Sequence, residues 1–212
     1  GVSFTCEPGK TTAIIGSTGS GKSTVLKLAE RFHDVTSGRI TVDGVDVRDV
    51  SQHALRAQLG YVPQAAFLFS GTIASNVGYG VDDADEDRIR AAADVAQASD
   101  FIAERPEGLA TPISQGGTNV SGGQRQRLAI ARALATDARA YLFDDSFSAL
   151  DYKTDAALRH ELSSRLGGKT VVIVAQRIST VLNADQIVVL DDGRVVGAGT
   201  HEQLMKSCQE YR

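Results

Sequence analysis

The stretch that most constrains this chain runs from Gly16 to Ser23 and fits the pattern G-x-x-x-x-G-K-[ST]. The apolar run Ala13–Ile15 precedes it and a helix-like run, Thr24–Ala29, follows it, so strand, loop and helix occur in the order that a phosphate-binding loop needs. Its glycines and serines allow the backbone to curl until successive N–H groups point at one anion. A Gly/Ser surface turn before a helix is the alternative interpretation, and the flanking strand and helix argue against it. The residues predicted to bind the phosphates of a nucleotide are Gly16, Ser17, Thr18, Gly19, Ser20, Gly21, Lys22, Ser23 and Thr24.

A magnesium site is predicted from the same loop and from a second strand. Lys22 supplies a fixed positive charge for the outer phosphates, and the Ser23 hydroxyl can occupy one position on a magnesium ion. The apolar run Ala140–Asp144 ends abruptly in a carboxylate, which could hold the ion directly or through water. A strand that ends at a solvated turn is the alternative, but it fits poorly with the two adjacent carboxylates Asp144 and Asp145.

Composition restricts the class of protein. The 212 residues suffice for one large domain or two small lobes, and 42% hydrophobic with 23% charged residues is typical of a soluble globular chain. A net charge of -4 without a long basic run argues against a nucleic-acid partner. Apolar runs such as Thr170–Ala175 have the length of strands, so no membrane span is predicted, and Cys6 and Cys208 match no metal or redox spacing. The chain opens inside a strand-like run, Gly1–Glu7, which favours a domain excised from a longer protein.

Helix and strand patterns alternate along the chain, most regularly in its second half. This alternation predicts an α/β fold with a mostly parallel sheet covered on both faces. The predicted strands are Leu59–Pro63, Ala140–Asp144 and Thr170–Ala175, with one hairpin at Arg39–Val47 and another formed by Gln186–Asp191 and Arg194–Ala198. A short amphipathic stretch, Gln52–Leu59, precedes the strand at Leu59. The predicted helices are Asp85–Ala98, Gly122–Ala135, Tyr152–Arg165, Ile178–Asn183 and Glu202–Lys206, whereas Gln64–Gly80 and Arg105–Ser121 are predicted to be irregular.

A second possible anion site lies at Val120–Arg127, where a serine and two glycines open a helix. A flexible helix N-cap is the alternative for this stretch on its own. Together with the phosphate loop and the magnesium strand, it makes the sequence resemble the nucleotide-binding domain of ATP-binding cassette (ABC) transporters over essentially the whole chain. The resemblance implies a P-loop NTPase fold of the ABC type, with a mostly parallel sheet core, an antiparallel β subdomain and a helical subdomain that carries the signature motif. Matching positions are the phosphate loop Gly16–Thr24, the glutamine-loop residue Gln64, the signature Ser121, Gly122, Gly123 and Gln124, the magnesium strand Ala140–Asp144, and the dimer loop Ser148, Ala149, Leu150 and Asp151.

The family resemblance implies two ATP molecules and Mg²⁺ bound in a head-to-tail dimer of nucleotide-binding domains. Each ATP would lie on the phosphate loop of one subunit and beneath the signature of the other. Gln64 would sense magnesium and the attacking water, so that Ser23, Gln64 and Asp144 form the implied metal site. The region after Gln64 is where the family docks helices of its membrane domain, and Phe67 and Phe69 could serve either there or in the core.

Two short stretches, Phe67–Ile73 and Gly199–Glu202, resemble the exporter branch, in which membrane and nucleotide domains are commonly fused. We therefore expect residues 1–212 to be the nucleotide-binding domain of a longer chain with an N-terminal transmembrane domain, or to associate with such a domain. The expected location is the cytoplasmic face of the cell membrane. Gln115 stands where exporters carry a glutamate that contacts the membrane domain, so that contact is expected to be altered.

Two further positions depart from the family pattern, and both concern hydrolysis. The general-base glutamate is replaced by Asp145, one methylene shorter, and the histidine near the γ-phosphate is replaced by Gln176, which cannot carry an imidazolium charge. With Gln64, these are the predicted catalytic residues. We expect tight ATP binding and slow turnover, as in the degenerate-site subunit of a heterodimeric exporter whose intact signature serves a non-identical partner.

Three alternatives to this interpretation are open. Both changes could be tolerated so that hydrolysis proceeds, or the chain could be a non-hydrolysing ATP-gated dimerisation or regulatory module. A soluble cassette protein that acts on ribosomes or DNA is disfavoured because the sequence contains no basic run.

Overall fold

The computed structural model describes all 212 residues and divides the chain into two units with different architecture. Unit 1 comprises Gly1–Tyr61, Arg139–Asp145 and Gly168–Arg212, and unit 2 comprises Val62–Ala138 and Ser146–Gly167. The strands are β1 (Thr11–Gly16), β2 (Thr41–Val42), β3 (Val45–Asp46), β4 (Leu59–Val62), β5 (Gly71–Thr72), β6 (Pro112–Ile113), β7 (Ala140–Asp144), β8 (Thr170–Val174), β9 (Gln186–Asp191) and β10 (Arg194–Gly199). The α-helices are α1 (Lys22–Ala29), α2 (Gln52–Arg56), α3 (Ile73–Val77), α4 (Glu86–Val95), α5 (Ser99–Ala103), α6 (Gly122–Ala135), α7 (Tyr152–Arg165), α8 (Ile178–Val181) and α9 (His201–Ser207).

The sheet of unit 1 has the strand order β10-β9-β1-β8-β7-β4. Strand β1 lies between β8 and β9 and is parallel to both, with Ile14 opposite Val174 on one side and Val188 on the other. Strand β7 is parallel to β8, whereas β10 forms an antiparallel edge against β9. Because the carboxyl ends of β1, β7 and β8 meet at one edge of the sheet, the segments that follow these strands are brought together there.

The core of unit 1 explains why these strands are almost continuously apolar. A strand in the middle of a parallel sheet is covered on both faces, so neither face selects polar residues. Leu26 of α1 packs into this core, and Phe4 and Cys6 lie against it from the segment before β1. The buried members of the core are Ile14, Leu26, Val47, Leu55, Leu59, Leu142, Val172, Val174, Val188 and Leu190.

Unit 2 is mainly helical and is built around α6. Helices α3 and α4 pack against α6, whose buried face consists largely of alanine with Leu128 and Ile130. Small residues on that face allow the neighbouring helices to approach closely. Strands β5 and β6 form a short antiparallel pair in this unit. The fully buried Asp155 of α7 pairs with Arg159 one turn later at 3.0 Å, which satisfies a carboxylate that burial would otherwise penalise.

The predicted α/β fold is confirmed, with a mostly parallel sheet, small antiparallel sheets and a helical part. The predicted bounds of the helix at Gly122–Ala135 and of the strand at Ala140–Asp144 are those of the structure. None of the helices combines the length and apolar character needed to cross a bilayer.

Several local predictions were wrong. The residues before the Pro8–Gly9 turn do not form a strand. The amphipathic stretch Gln52–Leu59 contains the helix α2, which ends at Arg56. The segments predicted to be irregular contain the five-residue helix α3 and the two-residue strands β5 and β6. Such short elements contain too few residues for apolar periodicity, and α3 is instead fixed by a capping box between Thr72 and Ser75.

Candidate functional site

The phosphate loop connects β1 to α1 at the carboxyl edge of the sheet. Gly16 has φ +153°, and a Cβ on it would lie 2.1 Å from the Leu190 carbonyl oxygen of β9, so only glycine fits there. Gly19 and Gly21 have φ +82° and +99°, in the left-handed region. Gly21 is also the N-cap of α1 and offers no side chain to the first N–H groups of the helix. These donors and the positive end of the helix dipole form a suitable site for an anion.

Lys22 places its ammonium group at the start of the loop. Its side chain is largely buried, and Nζ donates to the Gly16 carbonyl at 2.8 Å and to the Ser17 carbonyl at 2.7 Å. Burial lowers the pKa of Lys22, and the negative charges of Asp145 and Asp144 partly oppose this shift. The two carboxylates therefore help to keep the lysine charged.

Ser23 and Asp144 lie together as the sequence predicted. The Ser23 hydroxyl donates to Oδ1 of Asp144 at 2.6 Å, and only 2% of Asp144 is exposed. A hydroxyl oxygen and a carboxylate oxygen are the hard donors that Mg²⁺ prefers, usually with several retained waters. The two side chains thus fit a magnesium ion, and they are the residues of unit 1 that would hold it.

Asp145 and Gln176, the two predicted departures from the family pattern, are hydrogen-bond partners. Gln176 follows β8 and donates from Nε2 to Oδ2 of Asp145 at 2.9 Å. Asp145 has φ +48°, a left-handed conformation that aspartate tolerates better than most residues, and its backbone N–H donates to the Val174 carbonyl. No local sequence pattern links these two positions. The pair forms because β7 and β8 are neighbours in the sheet.

Two further polar residues, Tyr61 and Glu30, belong to no recognisable sequence motif. Burial of Tyr61 in β4, the charges of Asp144 and Glu30, and its interaction with the Asp144 carboxylate raise the pKa of Tyr61 to about 12. Glu30 caps the end of α1, is 3% exposed, and its Oε1 has no hydrogen-bond partner. Burial raises the pKa of Glu30 to about 7, although the charge of Arg56 opposes the shift.

A cleft of about 350 Å³ adjoins the phosphate loop. Its far wall is formed by the C-terminal residues Glu210 and Tyr211, and Tyr211 is held by a 2.7 Å contact between its hydroxyl and Nδ1 of His201. No sequence pattern predicted that the C-terminal segment reaches this loop. The other residues that line the cleft come from β1 and the phosphate loop, from the segment after β8, and from β9: Ile15, Gly16, Ser17, Thr18, Lys22, Ala175, Gln176, Arg177, Ile178 and Val189.

The signature lies in unit 2, at the start of α6. The Ser121 hydroxyl accepts from the Gln124 N–H and the Gln124 side chain accepts from the Ser121 N–H, both at 3.1 Å, which is a capping box. Gly122 and Gly123 are the first residues of the helix, and a Cβ on Gly123 would lie 3.5 Å from the Ala149 carbonyl oxygen. The signature and the predicted dimer loop are therefore neighbours.

The remaining dimer-loop and glutamine-loop residues also belong to unit 2. Asp151 is the N-cap of α7 and accepts from the N–H and the hydroxyl of Thr154, and these bonds lower its pKa. Ser148 and Leu150 lie in the turn before it, and Leu150 is buried. Gln64 follows β4 and is likewise in unit 2.

Phe67, Phe69 and Tyr79 form an exposed aromatic surface in unit 2. Phe67 and Phe69 are 45% and 38% exposed, so they are not core residues. Phe69 stacks on Tyr79 with ring centroids 4.6 Å apart, and the Arg132 guanidinium lies 5.3 Å from the Phe69 ring centre. Gln115 borders this segment and accepts from the Ser70 N–H at 3.2 Å. Because Arg132 also donates to the carbonyls of Phe67 and Asn76, the surface is held rigidly from beneath.

The phosphate loop at the edge of a parallel sheet, the carboxylate beside Ser23 and the glycine-opened helix define a nucleotide-binding domain of the ABC type. The ABC transporter family model matches residues 1–148, and the chain belongs to that family. An uncharacterized ABC transporter ATP-binding protein of Mycobacterium tuberculosis is 49% identical over 213 residues, which is 99% of this chain and 36% of the relative. An ATP-dependent lipid A-core flippase of Saccharophagus degradans is 45% identical over 211 residues, again 36% of the relative.

Among solved structures, a bacterial Atm1-family ABC exporter with ATP bound matches with a TM-score of 0.93 and 41% identity. The match covers 96% of this chain and 36% of that one. The chain thus spans about a third of the length of the relatives it matches.

Proposed function

We propose that this chain is the ATP-binding and hydrolysing motor domain of an ABC exporter, with a slow site of its own and a signature that serves the site of a non-identical partner. Relatives at 45% and 41% identity include an ATP-dependent flippase and an ATP-bound exporter, which supports the exporter assignment. As in that branch, the domain would act at the cytoplasmic face of the cell membrane, joined to or associated with a transmembrane domain.

The binding half of the proposal rests on the phosphate loop. The phosphates of ATP would accept from the loop N–H groups and from the start of α1, and they would compete with the Gly16 and Ser17 carbonyls for the Lys22 ammonium group. Ser23 and Asp144 would hold Mg²⁺, which neutralises charge on the outer phosphate oxygens when bound. Lys22 in the loop and Asp144 at the end of β7 are both buried, and a bound anion and a bound cation respectively would offset the cost of burying them.

The proposal that this site hydrolyses ATP slowly rests on one observation, the 2.9 Å hydrogen bond from Gln176 to Asp145. A general base must lie within about 2.6–3.2 Å of the water oxygen to accept its proton. Asp145 is one methylene shorter than glutamate, and its Oδ2 accepts from an amide that cannot add positive charge near a phosphoryl group. The hydrogen bond therefore keeps Asp145 and Gln176 in place, and the pair is poorly suited to activating water.

The unlike partner is proposed from the intact signature. Ser121 and Gln124 form a complete capping box, and Gly122 and Gly123 leave the helix start open to an anion. In a head-to-tail dimer this end of α6 would lie over the ATP of the partner, with the adjoining dimer loop in contact with that subunit. The aromatic surface of Phe67, Phe69 and Tyr79 would receive helices of the transmembrane domain.

The test replaces Asp145 and Gln176 together by the glutamate and the histidine that the family carries. We expect the double variant Asp145→Glu, Gln176→His to raise the basal ATPase rate of the full chain by at least about tenfold, since misplacing a catalytic group by roughly 1 Å costs about a hundredfold. Each single variant should give less than the double, because the two residues are hydrogen-bond partners. Rapid, partner-independent turnover by the wild type, or no rise in the double variant, would contradict the slow-site proposal.

A second candidate, a non-hydrolysing ATP-gated dimerisation or regulatory module, is consistent with the same Asp145–Gln176 pair. Mixing the chain with candidate partner subunits separates the two. ATPase activity that appears in the mixture and disappears when the partner's catalytic carboxylate is removed supports the motor. ATP-dependent association without any turnover supports the module.

A further inference from the structure

We propose that Arg105 is a positioning residue of the signature, whose guanidinium holds the Gln124 side chain in place for the ATP of a partner subunit. This inference rests on the proposed head-to-tail dimer, in which the start of α6 covers that ATP. Arg105 belongs to none of the motifs in the sequence and lies in the segment between α5 and α6.

The Gln124 side chain closes the capping box of α6 and has two donors. Its Oε1 accepts from the Ser121 N–H at 3.1 Å and from Nη2 of Arg105 at 3.4 Å. An amide oxygen has two lone pairs, so it can accept both hydrogen bonds at once. The bond from Arg105 is long, but a charged donor makes it stronger than a neutral bond of the same length. Arg105 therefore fixes the side chain that in turn holds the first residue of the signature.

The Arg105 guanidinium is not committed to another protein group. Its hydrogen bond to Gln124 is the one that this guanidinium makes, and the exposed neighbours Glu104 and Glu107 form no ion pair with it. A guanidinium carries five N–H donors, so most of them remain for a ligand. A cation beside the N-terminal end of a helix also adds to the positive end of the helix dipole, which favours an anion there.

The two arginines of α6 that lie near the signature are used differently. Arg127 donates to the Gln97 carbonyl at 2.6 Å, and Arg125 donates to the Gly116 carbonyl at 3.3 Å. Each of them anchors the first turns of the helix to the backbone beside it. Arg105 is instead bonded to a side chain of the signature itself, so it is placed to control the orientation of that side chain.

The first test measures the orientation of Gln124 in the full chain without a partner. Arg105→Met keeps a long side chain but removes the charge and the donors. We expect the Ser121 amide, which is bonded to Gln124, to exchange its proton with water about threefold faster in this variant, because Gln124 loses one of its two donors. Arg105→Lys keeps a charged donor and should give an intermediate rate.

The control for this measurement is Arg90→Met. Arg90 is an exposed residue of α4 that pairs with Glu86, so its loss should leave the exchange of the Ser121 amide at the wild-type rate. Equal exchange rates in Arg105→Met and the wild type overturn the positioning role.

The second test uses two altered copies of this chain and asks whether Arg105 acts on the ATP of the partner. The first copy carries Lys22→Ala and keeps its signature, whereas the second carries Ser121→Asp and keeps its phosphate loop. One complete composite site can then form, from the signature of the first copy and the loop of the second. Association is measured by fluorescence anisotropy of the labelled first copy, titrated with the second in ATP and Mg²⁺.

The composite site separates an effect on the partner's ATP from a loss of structure. Arg105→Met in the first copy, whose signature is used, should weaken ATP-dependent association about fivefold. The same change in the second copy, whose signature is inactivated, should have no effect. Equal weakening from either copy, or none from the first, overturns the inference. If the pair with Arg105 intact does not associate, the proposed head-to-tail arrangement fails instead, and the exchange rate of the Ser121 amide still decides whether Arg105 holds Gln124.

Discussion

Replacing Glu30 by glutamine should make unit 1 more stable at alkaline pH. Glu30 is 3% exposed and its Oε1 lacks a hydrogen-bond partner, so its ionised form is poorly accommodated in the folded chain. The pKa rises from 4.5 to about 7 because of burial, and Arg56 offsets only part of the shift. Glutamine has nearly the same shape and carries no charge at any pH.

The sign and the size of this change in the free energy of unfolding follow from proton linkage. The folded-state pKa of Glu30 exceeds its unfolded value, so the native state binds more protons between 4.5 and about 7. The stability that this carboxyl contributes is fully present below 4.5 and is lost as the pH rises through about 7. At roughly 1.4 kcal/mol per pH unit, a change from 4.5 to about 7 amounts to about 3 kcal/mol.

The assay is urea denaturation of the wild type and Glu30→Gln across about pH 5 to pH 8.5, read as the difference in free energy of unfolding between the two. We expect this difference to shift toward the variant by about 2.5 kcal/mol over that range, slightly less than the full amount because the unfolded carboxyl is already mostly ionised at the lower end. Subtraction removes the titration of every other group, and Glu104→Gln, at an exposed position, serves as the control. A difference that stays constant with pH would refute the reasoning, because it would mean that Glu30 does not titrate in the native state.

Substitutions at Gly16 and at Ser121 test the phosphate loop and the signature, respectively. Gly16→Ala should lower the free energy of unfolding by about 2 kcal/mol more than Gly38→Ala in a thermal or urea melt. Both glycines have positive φ, but only a Cβ at position 16 would collide with a neighbouring carbonyl, that of Leu190. Equal losses would show that β9 moves aside without cost. Ser121→Ala should lower the stability of α6 by about 1 kcal/mol, whereas Ser121→Asp keeps the cap to Gln124 but should weaken ATP-dependent association with a partner by placing negative charge at the proposed phosphate position. Normal association of the aspartate variant would count against the role of the signature.

Sequence patterns predicted the parts of the site that are contiguous in the chain. The loop Gly16–Ser23 and the strand ending in Asp144 each carry their chemistry in adjacent residues, and parallel strands bring such ends to one edge. The hydrogen bond between Asp145 and Gln176, by contrast, depends on β7 and β8 being neighbours in the sheet. No local pattern reports which strands are adjacent.

The residues that sequence analysis missed are ordinary in their local context. Tyr61 is a β-prone aromatic residue in a strand, and Glu30 is a charged residue near a helix end, as thousands of others are. Only tertiary packing brings Tyr61 near Asp144 and leaves Oε1 of Glu30 buried without a hydrogen-bond partner. Short elements such as α3 were missed for a different reason, since five residues do not complete two helical turns.

The position of β1 in the sheet has a consequence for synthesis on the ribosome. The strand that carries the phosphate loop is made before the other strands of its sheet, yet its two neighbours are β8 and β9, which come from residues 170–191. Until that late segment emerges, the nascent chain holds an apolar strand with both of its backbone edges unpaired, a state that favours aggregation. Premature termination before residue 170 would therefore yield a fragment that carries the intact loop motif and has no sheet in which to present it.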